Sequence, residues 1–273
     1  AEDRSRFSDI LKELEIPYPP YGTAQSVREA VDAAEVIGYP SLVRPSYVLG
    51  GQGMRIAINK EEVEKYTNQI WKLMPDNMIL LDLFLEDGIE LDVDAICDGE
   101  EVWVAGIMQH IEPAGVHSGD STAVLPPYSI SEEVQDTVRR YISDIALRLG
   151  VLGLVNVQMV VKGDIVYVIE ANPRASRTVP FVAKATGIPI SNIATKVMLG
   201  EKLATFRERG DLESSLVGFA VKEPVFSWDK FPEVRKELGP EMKSTGEAIA
   251  FIKDFDDAHF RKPFEMRNLY LSR

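Results

Sequence analysis

One cysteine in 273 residues excludes an intrachain disulfide and fits a reducing compartment. That residue, Cys97, lies in the apolar stretch 93–97, where a thiol is expected to be an inert part of the core. Basic residues are also scarce: 30 Lys and Arg stand against 43 Asp and Glu, a net charge of −13, and no basic run reaches five residues. Nucleic-acid binders ordinarily carry a basic patch, so this balance points to a small-molecule substrate and away from DNA or RNA. Three histidines with one cysteine offer no zinc-ligand spacing, and the clustering of His117, Ser118 and Asp120 does not by itself make a Ser-His-Asp triad. No apolar run approaches the ~18 residues of a membrane span, and no signal peptide is legible, so a cytoplasmic protein is expected.

What is present is a chain that is 45% hydrophobic, long enough for one large domain or two lobes with separate cores. The pattern is mixed α and β. Ser26 to Val36 reads as a helix, with a Ser26/Glu29 capping box, a stripe of Val27, Ala30, Val31 and Ala34, and Gly38 as a stop. Ser41–Arg44 and Arg55–Ile58 are short strands, and a second helix runs from an Asn59 cap to about Met74, before Pro75. Met78–Phe84 is an apolar strand. Glu90–Cys97 and Val102–His110 flank Asp98-Gly99 and are expected to pair as a hairpin. Ser131–Leu149 is the longest helix, burying Val134, Val138, Tyr141, Ile142, Ile145 and Leu149. A short helix follows Pro189 to about Leu199, and then a more polar tail with Pro224, Pro232 and Pro240. The expected division is a main domain over 1–227, with a small lobe near 23–81, and an extension or linker over 228–273.

Three segments carry the chemistry. In Arg44-Pro45-Ser46-Tyr47-Val48-Leu49-Gly50-Gly51-Gln52-Gly53-Met54 a strand delivers a cation, and three glycines follow. Glycine lets backbone N–H groups approach phosphate oxygens, and a guanidinium can pair with the same oxygens. No Gly-Lys-Ser/Thr follows, so this is not a Walker loop; it is a phosphate-covering hairpin or a plain glycine turn. The second segment is a hairpin of 154–161 and 165–172. Turned about Gly163, it would set Asn156 opposite Glu170 and Gln158 opposite Val168. Alternation then puts Asn156, Gln158, Glu170 and Asn172 on one face, and Val155, Val157, Met159, Val161, Ile165, Tyr167 and Ile169 on a continuous core face. One carboxylate with amide oxygens suits Mg²⁺; the plainer alternative is the wet side of an edge hairpin. Directly after come Arg174 and Arg177, positioned either to neutralise a transferring phosphoryl group or simply to face water. The third segment, Ala114 to Ser121, holds small residues, His117 and Ser118 in a loop after a strand, a pattern that lines ligands.

Taken together, RPSYVLGG at 44–51, AGVHSGDS at 114–121, NVQ at 156–158 and EANPRASRTVPFVAKATG at 170–187 resemble the ATP-grasp superfamily. Within it they resemble the large subunits of carbamoyl-phosphate synthetases, as do AEDRSRF at the start and GPEMKSTGE at 239–247. The resemblance implies an α/β (α+β) ATP-grasp fold, two lobes whose antiparallel sheets clasp ATP. Those subunits carry two homologous halves. Tyr47-Val48-Leu49, Val116-His117-Ser118 and Thr178-Val179-Pro180-Phe181 look like the carbamate-phosphorylating half, because the other typically has Phe-Thr-Met and Ile-His-Thr in the first two places.

The same resemblance assigns roles. Arg4 and Arg44 would contact ATP phosphates, Leu83 and Leu85 would sit at the adenine hinge, and Glu90 would hold the ribose hydroxyls. Gly115, Val116, His117 and Ser118 would line the nucleotide site. Gln158, Glu170 and Asn172 would bind Mg²⁺ or Mn²⁺, two ions in all, with Gln158 and Glu170 also beside the nucleotide. Arg174 and Arg177 would be catalytic, stabilising the phosphoryl group and carbamate, and Asn156 would support them. Implied partners are carbamate, the rest of a large subunit and a glutaminase small subunit. Family large subunits place a nucleotide-fold domain just before the AEDR segment, and this chain begins at that segment. The alternatives are another ATP-grasp carboxylate–amine ligase and a nucleotide-binding regulatory module without turnover.

Overall fold

A computed structural model describes residues 3–46, 50–75 and 77–253. Tyr47, Val48 and Leu49, like residues 254–273, therefore lie outside the described residues. In chain order the elements are α1 (Arg4–Glu13), β1 (Tyr21–Ala24), α2 (Val27–Ile37), β2 (Ser41–Pro45), β3 (Arg55–Ala57), α3 (Lys60–Leu73) and β4 (Ile79–Leu83). Then follow β5 (Ile89–Asp98), β6 (Val102–His110), β7 (Ala123–Leu125), α4 (Glu132–Arg148), β8 (Leu152–Lys162) and β9 (Ile165–Asn172). Last come α5 (Thr178–Thr186), α6 (Ile190–Met198), α7 (Leu203–Glu208), β10 (Phe219–Val225) and β11 (Gly246–Ile252).

The small lobe is a four-stranded antiparallel sheet, β1-β4-β2-β3, with α2 and α3 on one face. Both helices start where capping chemistry dictates. Ser26 Oγ accepts from Glu29 N at 3.2 Å, and Asn59 Oδ1 accepts from Glu62 N at 2.9 Å, each satisfying a donor with no partner in its own helix. Ala30, Val31 and Ala34 of α2 and Val63 and Ile70 of α3 pack on Val43, Ala57, Ile79 and Leu81. Strand alternation turns the intervening Arg44 and Asp82 to the opposite face.

The large lobe is a seven-stranded antiparallel sheet, β11-β10-β7-β6-β5-β8-β9. One face carries α1 and α4. Leu91, Val93, Ala95 and Cys97, the odd residues of β5, point into that core with Val138, Ile142 and Ile145 of α4. Each of those three helix residues is fully buried and contributes about 1.5–3 kcal/mol. Cys97 is wholly buried, as expected. The other face is split. Ile96, Ala105 and Met108 meet α5, α6 and α7 at one end, while Glu90, Asp92 and Asp94 occupy the rest of the same β5 face. The segment after Ser227, read as an extension, returns as β11 and pairs along the whole length of β10.

The β8–β9 hairpin departs from the expected register. Its turn is Gly163-Asp164, so Lys162 pairs with Ile165 and Met159 with Val168; beyond a bulge, Gln158 pairs with Glu170 and Asn156 with Asn172. The extra residue, Ile169, reverses the parity of β9 partway along the strand. Val166, Val168 and Ala171 are therefore in the core, where Ile165, Tyr167 and Ile169 were expected. The same bulge returns Glu170 and Asn172 to the polar face.

Candidate functional site

The polar face is assembled from strands β5, β6, β8, β9 and β10 and the loops beside them. Gln158 and Glu170 stand directly opposite each other, and Asn172 donates from Nδ2 to Glu170 Oε1 at 2.9 Å. Gln158 donates from Nε2 to Ser118 Oγ at 3.0 Å, which turns its amide oxygen away from that loop. One carboxylate and two amide oxygens thus gather at one place. That donor set fits a hard divalent cation sharing phosphate oxygens. Among the described residues no cluster of three or more His, Cys, Asp or Glu offers a rival metal centre.

Behind this set runs a charged array that joins the expected Glu90 and Asn156 through His110, Asp92 and Asp94, which sequence reasoning missed. Glu90 Oε1 accepts from Gly115 N at 3.0 Å, and Glu90 Oε2 lies 3.2 Å from His110 Nδ1. His110 Nε2 is 3.1 Å from Asp92 Oδ2, and Asn156 Nδ2 donates to Asp92 Oδ1 at 3.2 Å and to Asp94 Oδ1 at 2.9 Å. Ser176 and Thr178, at the start of α5, also donate to Asp94, at 2.7 and 2.5 Å. Burial alone would lower the His110 imidazole, but Asp92 and Glu90 outweigh it and raise it to about 9. Burial likewise opposes ionisation of Asp92; His110 first, then Lys222, hold it below its ordinary value. Burial, with the neighbouring Asp92 charge adding to it, pushes Asp94 up to about 6 despite hydrogen bonds from Thr178, Ser176 and Asn156. The available signal was Glu90-x-Asp92-x-Asp94, three carboxylates on one strand face.

The loop holding Gly115, Val116, His117 and Ser118 covers the array. Val116 N donates to Pro113 O at 3.4 Å, and His117 Nδ1 accepts from Gly119 N at 3.0 Å. Burial lowers the His117 pKa. Lys222, buried on β10, donates to Ser118 O at 2.9 Å, and burial depresses its amine. Gly115 has φ +93, and a Cβ there would lie 2.7–2.8 Å from the Phe84 ring, so only glycine fits.

A strap formed by residues 239–244 ties this loop to the glycine hairpin. His117 N donates to Gly239 O at 2.8 Å, Met242 N to Gly50 O at 3.0 Å, and Ser244 N to the buried Asp120 carboxylate at 2.8 Å. Arg55 on β3 faces Glu241 at 3.6 Å. Gly51, at φ +71, lies so near the strap that a Cβ would run into the Pro240 carbonyl.

The remaining expected residues are placed less uniformly. Arg4 is buried and donates to Asp82 Oδ1 at 2.7 Å and Ile169 O at 3.2 Å, with the Tyr21 ring 5.0 Å away. Arg44 donates to Asp82 Oδ2 at 3.0 Å. One carboxylate therefore holds both arginines expected at the phosphates. Leu83 gives its N–H to Pro20 O at 2.8 Å, and the Leu85 carbonyl takes Gly88 N at 3.3 Å. Arg174 is exposed, donating to Asn172 Oδ1 at 3.3 Å, and Arg177 at the head of α5 lies against the Met242 sulfur.

Residues 3–206 match the family described as carbamoyl-phosphate synthase L chain, ATP binding domain. The carbamoyl phosphate synthase large chain of Archaeoglobus fulgidus is 54% identical over 262 residues, covering 96% of this chain and 24% of the relative. A protein of Methanocaldococcus jannaschii named as the C-terminal section of that large chain is 51% identical over 269 residues, covering 96% of this chain and 44% of its own length. The chain thus spans about a quarter of the length of the large chains it matches. Among solved structures, a biotin carboxylase–β,γ-ATP complex from Campylobacter jejuni superposes with a TM-score of 0.74 at 17% identity, over 99% of this chain and 69% of that one. An ADP complex of N5-carboxyaminoimidazole ribonucleotide synthetase superposes with 0.74 at 15% identity, over 100% and 72%. At such identities the likeness is one of fold, and the fold is ATP-grasp. Among the described residues no helix is long and apolar enough to cross a membrane.

Proposed function

The chain belongs to the carbamoyl-phosphate synthase L chain ATP-binding domain family, and from that premise we propose that it phosphorylates carbamate with ATP to give carbamoyl phosphate and ADP. The observation that carries the reading is the Gln158–Glu170 pair with Asn172 beside it, facing the Gly115–Ser118 loop. Mg²⁺ or Mn²⁺ held there would supply charge neutralisation at the β- and γ-phosphates. The chain's own residues supply the rest. Glu90 holds the ribose hydroxyls, Leu83 and Leu85 meet adenine through the backbone, and the glycine hairpin covers the phosphates.

A carbamate oxygen attacks the γ-phosphorus in line, the bond from that phosphorus to the β–γ bridging oxygen breaks, and ADP leaves. Positioning and charge are the main requirements of such a step. Arg174 and Arg177, which follow β9 and lead into α5 directly after Glu170 and Asn172, serve that end. Arg44 reaches the phosphates by turning from Asp82, and it is the more exposed of the two arginines there.

Assignment to carbamate rather than bicarbonate is supported by Val116-His117-Ser118, by Thr178-Val179-Pro180-Phe181, and by the likeness to a relative named as a C-terminal section. The remainder of a large subunit and a glutaminase are the partners this reading implies, in a cytoplasmic setting. The metal site is tested by Glu170→Gln, which removes the one carboxylate of the ligand set. We expect turnover to be lost with unfolding midpoints unchanged; near-normal rates at millimolar Mg²⁺ would overturn the ligand assignment.

A further inference from the structure

We propose that His110 is a positioning residue for nucleotide selection, holding the Glu90 carboxylate in the one orientation that grips the ribose diol. The inference rests on the reading that Glu90 binds ribose. His110 itself is 5% exposed and sits under Glu90, so it touches no ligand. The Glu90 side chain is 23% exposed and forms the accessible end of the array.

Both imidazole nitrogens face carboxylate oxygens, at 3.2 Å from Glu90 and 3.1 Å from Asp92. A neutral ring donates from one nitrogen only; the imidazolium donates from both. Its high proton affinity agrees with that geometry. Asp92 is in turn fixed by Asn156 on β8 and faces the positive charge of Lys222 on β10. The ring is thus clamped from behind by two further strands.

The consequence falls on Glu90. Its Oε1 is tied to Gly115 N and its Oε2 to His110, which fixes the plane of the carboxylate. Each oxygen retains a lone pair for a vicinal hydroxyl, so two hydroxyls can donate side by side. Without His110, Oε2 loses its anchor and the carboxylate is free to rotate about its terminal torsion, which is broad. Contact with one hydroxyl survives that rotation; simultaneous contact with two does not.

The test compares the dissociation constants of ATP and 2′-deoxy-ATP, with Mg²⁺, for the whole 273-residue chain and for His110→Asn, Asp92→Asn and Glu90→Gln. Wild type is expected to prefer ATP. His110→Asn should weaken ATP about tenfold, the size of one charge-assisted hydrogen bond, and leave 2′-deoxy-ATP within about twofold, within the scatter of such contacts. Asp92→Asn, which keeps side-chain volume and reaches Glu90 through the ring, should shift the same ratio in the same direction. Adding His110→Asn to Glu90→Gln should change the ratio no further. Equal weakening of both nucleotides would show a merely structural histidine, and an unchanged ratio would show no role; either overturns the proposal while leaving Glu90 in place. A wild type indifferent to the 2′-hydroxyl, or one whose preference survives Glu90→Gln, would remove the ribose reading and this inference with it.

Discussion

Asp82→Asn is expected to cost about 3 kcal/mol of stability, because one carboxylate holds together three parts of the molecule. Asp82, on the inner face of β4, sits 2.7 Å from Arg4 of α1 and 3.0 Å from Arg44 of β2. Arg4 in turn donates to Ile169 O on β9, so the arrangement ties the small lobe to the large sheet. Breaking a buried ion pair from one side typically costs about 3–5 kcal/mol, because a desolvated charge is left without its partner. The lower end applies here. The Arg44 side chain is 20% exposed and can turn to water, while Arg4 keeps a carbonyl and the Tyr21 face. Replacing both sides with apolar residues removes the stranded charge, so Arg4→Met with Asp82→Leu should cost less than Asp82→Asn alone. Urea unfolding midpoints of the wild type, the singles and the double variant measure the cycle. A cost under about 1 kcal/mol, the size of an exposed pair, or a double variant at least as unstable as the sum of its singles, would refute the reasoning.

Two other outcomes are expected. His110 is raised above its ordinary value, with Glu90, Asp92 and Glu112 facing it, so its contribution is complete below about pH 6.5 and is lost as pH rises to about 9. The stability gap between wild type and His110→Gln should shrink by about 3 kcal/mol over that window; a gap that does not vary with pH would contradict it. Gly51→Ala combines positive φ with the Pro240 carbonyl in its path, so hydrogen exchange at Met242 N–H, bonded to Gly50 O, should accelerate at least about tenfold. Unchanged exchange there would mean that the strap does not depend on that glycine.

Local chemistry made much of this architecture readable. The Ser26 and Asn59 caps, the stripe of α4 and the Asp98-Gly99 turn each act within a few residues, and each appears as expected. The polar face of β8 and β9 was legible as a set of residues but not as a register. A bulge at Ile169 leaves no local mark, since Ile165, Val166, Tyr167, Val168 and Ile169 suit either face of a strand. The His110 array was hidden for another reason. Its partners lie on β5, β6, β8 and β10, and what brings them together is sheet order, not spacing along the chain. The strap escaped similarly: Asp120 and Ser244 meet across 124 residues, in a segment whose prolines and polarity read as linker. The resemblance sent Arg4 and Arg44 to the phosphates, while the carboxylate that both of them meet, Asp82, sat unremarked inside an apolar strand.

If this site moves a phosphoryl group between carbamate and ADP, as proposed, the reaction run backwards will show it. Supplied with MgADP and carbamoyl phosphate, the chain should form ATP, which a luciferase assay reads without handling unstable carbamate, while bicarbonate alone should release little ADP from ATP. Strong bicarbonate-dependent ADP release, with no ATP from carbamoyl phosphate, would contradict the assignment.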